Sequence, residues 1–102
     1  MKHERRQKSL VLILAREFAS NLAMPIYIAD ADETLVYFNE PAERIAGRSF
    51  AETGEMPVRH WTRLLVPRGA DGAEREVATT ALPLLGPDDE FHGIMVIFWE
   101  QG

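Results

Sequence analysis

The sequence lacks cysteine altogether, so no disulfide can brace the fold and nothing in its chemistry points to an oxidising compartment. Histidine is nearly as scarce. Of the three, His3 lies in a basic tail, while His60 and His92 stand alone, without the spacing of a metal site. No glycine-rich phosphate loop is present, and Ser9 and Ser49 precede helical patterns in which an N-cap role accounts for them. Long apolar runs are missing too. Leu10 to Ala15 is the run nearest the amino terminus, but Arg16 and Glu17 interrupt it, which excludes a membrane span of about 20 residues and argues against a secretory signal. A cytoplasmic location is the expectation. Positive charge is short outside the tail: residues 1–9 sum to +3, leaving −8 for the rest of a chain whose total is −5. An acidic body argues against nucleic-acid binding, and the basic tail reads as a solvated helix end that an acidic partner can touch.

What is present is the material of one globular domain. With 46% hydrophobic and 26% charged residues, 102 residues can bury about two-thirds of their unfolded surface. Ser9 to Met24 has helical periodicity and is bounded by Pro25. Val11, Leu14, Phe18 and Leu22 share one face, Leu10 and Ile13 widen it, and Leu12, Ala15 and Ala19 fill much of the remainder. That is wider than one docking stripe, so this helix can cover its own sheet, serve as an interface, or do both on different faces.

The densest local signal is FNEPAERIAGRSF, residues 38–50. Asn39 is placed to cap a helix, Pro41 suits its first turn, and Gly47 can end it in the left-handed conformation. Ser49 and Glu52 then have the spacing of a capping box. This passage from strand to short helix to closing glycine resembles PAS domains, and the resemblance extends over roughly residues 20–100. Asp30-Ala31-Asp32 falls where PAS sequences turn between their first two strands, Leu35–Asn39 looks like the second strand, Val77–Leu84 the fourth, and Ile94–Glu100 the fifth.

The resemblance implies an α+β, PAS-like fold: a five-stranded antiparallel sheet with short helices on one face and an N-terminal amphipathic helix toward the other. The division expected is a basic tail over 1–8, an interface helix over 9–24 and a PAS-like domain over 25–102. In the last strand both alternating sets, Ile94, Val96, Phe98 and Met95, Ile97, Trp99, are apolar, so it should be central. Asp71-Gly72 and the Gly86–Asp89 cluster are turn chemistry, which makes 61–100 a three-stranded meander; Trp61–Pro67 reads as its first strand, because the sheet needs a partner for 74–84, with the remnant of a shortened helix as the alternative, and Glu74 and Glu76 should sit where the next strand reaches solvent. Two departures stand out. The turn glycine of the family is Glu33 here, so either the turn differs or Glu33 bears about 1 kcal/mol of left-handed strain. Between Gly47 and Trp61 there are thirteen residues, fewer than the family places there, and a reduced pocket follows.

The work implied is non-catalytic signalling through homodimerisation or association with a heterologous signalling protein, with Leu10, Val11, Ile13, Leu14, Phe18 and Leu22 as the interface. The alternative is a bacterial PAS sensor holding a small apolar ligand, or haem through His60 or, less well placed, His92. Flavin-adduct photochemistry and thioester-linked chromophores need a thiol and are excluded, and no cofactor is expected. Asp88, Asp89 and Glu90 read as a solvated turn rather than a cation site. An enzyme has the least support.

Overall fold

The computed structural model describes residues 9–65 and 77–100. Its first helix, α1, spans Leu10–Ser20 and starts where Ser9 Oγ accepts the Leu12 N–H at 3.3 Å. It is shorter than the periodicity through Met24 implies. The Asn21 N–H closes back on the Phe18 carbonyl at 3.1 Å, and the chain bends before Pro25 to enter β1, Ile26–Asp30. A tight turn leads to β2, Thr34–Phe38. Glu33 does occupy the left-handed region, at φ 64°, and the turn compensates: Asp30 Oδ1 accepts from Asp32 N at 2.9 Å and Thr34 N at 3.0 Å.

The helix punctuation after β2 forms as expected. Asn39 caps α2, Glu40–Ala46, accepting from Ala42 N at 3.2 Å, and Gly47 ends it at φ 74°. Ser49 and Glu52 make a reciprocal capping box at the start of α3, Phe50–Thr53.

Residues 61–65, expected to begin a strand, are helical. Helix α4 spans Val58–Leu65, and its Trp61 and Leu65, one turn apart, are buried while Arg59, His60, Thr62 and Arg63 face water. Helical spacing thus sorts apolar from polar where strand alternation would mix them. The fifth strand of the sheet is instead β3, the two residues Met56–Pro57, which pair with Leu35 and Thr34. Glu74 and Glu76, as well as residues 66 and 67, lie outside the described residues.

Strands β4, Val77–Leu85, and β5, Phe91–Glu100, form a hairpin around a 3-10 turn at Pro87–Asp89. The sheet is antiparallel throughout with order β3-β2-β1-β5-β4, so β5 is interior, as its two apolar faces require. Where β5 passes β1, Gly93 is obligatory: a Cβ there would collide with the Ala29 carbonyl oxygen.

Two cores result, one on each face. On the inner face Tyr27, Leu35, Phe38, Trp61, Leu65, Val96 and Phe98 pack together, with Trp61 stacked on Phe38 at 4.2 Å between ring centres. On the outer face α1 lies over Ile26, Ile28 and Met95 and meets them through Ala15 and Ala19. Two small side chains one turn apart let the helix backbone approach the sheet closely. The α+β arrangement, with short helices on one face and the amino-terminal helix on the other, is as the sequence led us to expect.

Candidate interaction surface

With Ala15 and Ala19 against the sheet, α1 turns its larger side chains outward. Leu10, Leu14 and Phe18, spaced by four residues, are 66%, 59% and 56% exposed, and Ile13 beside them is 47% exposed. Four of the six expected interface residues therefore form an apolar ridge. Val11 is half-buried, and Leu22, beyond the helix end, is half-buried against the outer core. Leu82 and Trp99 are exposed on the same outer face of the sheet, since they pair across the hairpin with Met95 and Ala78. A third side of α1 is tethered: the Arg16 guanidinium sits 4.7 Å from the centre of the Tyr37 ring and 5.9 Å from that of Phe50. Burial pushes the Tyr37 hydroxyl above its ordinary pKa, Arg16 opposes that shift, and Glu43 and Glu17 add to it.

The ends of α1 are fixed by side chains from elsewhere in the chain. At its carboxyl end Asn39, buried at 1% exposure, donates through Nδ2 to the carbonyls of Ala19 (3.0 Å) and Met24 (2.9 Å), while its Oδ1 accepts from Ile26 N (3.0 Å) as well as Ala42 N. The amide spends its full hydrogen-bonding capacity on four segments. At the amino end, Ser9 Oγ lies 2.7 Å from His92 Nδ1. The other ring nitrogen, Nε2, is buried and has the Glu90 carboxylate 3.5 Å away without making a hydrogen bond to it. Ser20 is engaged locally, its hydroxyl donating to the Glu17 carbonyl at 2.8 Å.

On the inner face Trp61 fills the middle of the sheet, and its buried Nε1 has no hydrogen-bond partner among the described residues. Beyond it, toward the β1–β2 turn, lies an open cavity of about 430 Å³. Its floor is Tyr27, Ala29, Ile94 and Val96, and Arg59, Asp30, Glu33 and Phe91 are at its rim. Burial raises the pKa of the Tyr27 hydroxyl. His60 is exposed on α4 and does not line this cavity, so the structure brings neither histidine to it. Among the described residues no three histidine or carboxylate side chains converge on a metal-binding arrangement, and no helix is long and apolar enough to cross a membrane.

This architecture has relatives among solved structures. The PAS domain of BvgS from Bordetella pertussis superposes with a TM-score of 0.69 over 88% of this chain and 84% of that one, at 20% identity. A PAS domain from Colwellia psychrerythraea gives 0.63 over 89% and 97%, at 15% identity. The chain adopts a PAS fold. A phage VqmA in complex with DPO is also similar, with a TM-score of 0.62 and 18% identity over 87% of this chain, which spans about half of that protein. No protein-family model matches the sequence, and no curated protein does. The PAS likeness is thus one of fold.

Proposed function

We propose that this PAS-fold chain is a non-catalytic, cytoplasmic signalling module that acts by self-association through α1. The observation that carries the reading is the ridge of Leu10, Ile13, Leu14 and Phe18, large apolar side chains left in water on a helix whose opposite side already packs on its own sheet. A second copy is the simplest occupant, because a ridge spaced by four residues can pack against its own symmetry mate. A heterologous signalling protein with an apolar helix would use the same ridge. Light scattering at roughly tens of micromolar, a concentration within reach of micromolar affinities, should give a dimer mass. Leu14→Glu or Phe18→Glu should reduce it to a folded monomer, with the circular dichroism spectrum retained because both side chains are exposed and the melting temperature lowered only by the stabilisation that association supplied. A monomer mass for the unmutated protein overturns the reading.

The inner-face cavity supports a second reading, that of a small-ligand sensor. Its volume is within the range of about 300–1,000 Å³ usual for small-molecule sites, and the VqmA relative was solved with DPO. Native mass spectrometry of freshly purified protein tests this by retained mass. On the cofactor we propose none: exposed His60 and engaged His92 are poor haem ligands, and the visible spectrum should be empty. A Soret band lost in His60→Ala or His92→Ala would make haem the leading reading.

A further inference from the structure

We infer that His92 is the positioning residue that fixes the first turn of the association helix, by closing a clasp on Ser9. The inference deepens the proposed self-association and rests on it. Ser9 Oγ serves two partners at once. One lone pair accepts the Leu12 N–H, and His92 Nδ1 pairs with the hydroxyl at 2.7 Å through either its hydrogen or its second lone pair. The other ring nitrogen, Nε2, faces Glu90.

Gly86 supplies the independent observation. It stands in the turn region before β5, yet its φ is −96° and its ψ −168°, a conformation open to residues with side chains. What requires glycine there is space: a Cβ would lie 2.5 Å from His92 Nε2 and 2.9 Å from its Cδ2. The hairpin is thus hollowed at one residue to seat the imidazole, whose other edge meets a helix start 83 residues away in sequence. The first turn of α1 carries no acidic side chain to complement its free N–H groups, so the Ser9 cap is its local support, and His92 orients that cap. Leu10 and Ile13, the ridge residues nearest this end, are presented as the clasp sets them.

Hydrogen exchange on the full chain tests this, in a Phe18→Glu background that removes self-association from the measurement and leaves the first turn of α1 untouched. His92→Phe keeps a ring without an acceptor, His92→Asn offers Oδ1 near the position of Nδ1, and Gly86→Ala displaces the ring. His92→Phe and Gly86→Ala should speed exchange of the Ile13 and Leu14 amides roughly fivefold to tenfold, with the amides of β1 unchanged, and His92→Asn should restore most of the protection. In the otherwise unmutated protein the same two substitutions should weaken dimerisation by a similar factor. First-turn exchange in His92→Phe equal to that of the parent overturns the clasp, as does equal loosening of β1 and β5, which would mark the ring as hairpin packing. If the clasp signature appears while the unmutated protein is a monomer, self-association is wrong and the inference falls with it only in its bearing on the interface.

Discussion

Replacing Asn39 by alanine should cost about 3 kcal/mol, more than the roughly 1 kcal/mol of a lost helix cap. The side chain accepts from Ile26 N and Ala42 N and donates to the carbonyls of Ala19 and Met24, all within 2.9–3.2 Å. At 1% exposure bulk water does not reach the site, so truncation removes four hydrogen bonds and orphans three backbone groups, the Ala19 carbonyl keeping the Leu22 N–H at 3.2 Å. Each is worth about 1 kcal/mol, and a single water entering the space left by the amide would recover part of the sum, giving a range of roughly 2–4 kcal/mol. Serine separates the two roles. Asn39→Ser caps a helix about as well as asparagine but cannot reach the other three partners, so it should still lose roughly 2 kcal/mol. Urea denaturation at constant m-value measures both variants. A loss of 1 kcal/mol or less in Asn39→Ala, or full stability in Asn39→Ser, would refute the argument and reduce Asn39 to a cap.

Gly93→Ala should destabilise by about 3 kcal/mol or prevent folding, because its Cβ meets the Ala29 carbonyl across a central strand pair, whereas Gly47→Ala, with open space around it and φ 74°, should cost only about 1 kcal/mol; thermal melts compare the two. The Tyr27 hydroxyl has its pKa raised above 10.0 by burial, so its contribution to stability is fully present below the unfolded value and is lost as pH rises through the folded value. The melting temperature should therefore fall on titration beyond about pH 10, and Tyr27→Phe should flatten that fall; an identical alkaline slope in both proteins would assign it to other groups.

Local grammar was readable where the partners are neighbours in sequence. The Asn39 cap, the Gly47 stop and the Ser49–Glu52 box each close within four residues, and all three are present. Reading failed where partners are remote or the element is too short to have a period. Strand β3 is two residues long and carries no pattern, so by sequence alone Trp61–Pro67 stands as the better partner for the sheet. The spacing of Val58, Trp61 and Leu65 was the available sign of a helix. The exposed ridge on α1 is legible as an apolar surplus, but excluding Val11 and Leu22 from it requires knowing that Ala15 and Ala19 choose the side facing the sheet. In the sequence His92 is an isolated histidine, because neither Ser9 nor the space at Gly86 is visible from residue 92. Asn39 gave away one of its four bonds.

Asn39 also determines how α1 can move. Its amide grips the helix at the Ala19 carbonyl with a buried group tied to β1 and α2, whereas the opposite end is held by one serine hydroxyl and the packing of Leu12 and Ala15 on the sheet. Were α1 to tilt, the Asn39 end would be the pivot. From Ala19 to Ser9 the arm is about 15 Å, so a tilt of about 10° carries the Ser9 end through about 2.6 Å and Leu14, halfway along, through about 1.3 Å. Phe18, beside the pivot, hardly moves. The ridge therefore has a stationary end and a travelling end, and a change in helix angle is read out mainly at Leu10 and Ile13 while Phe18 keeps its place.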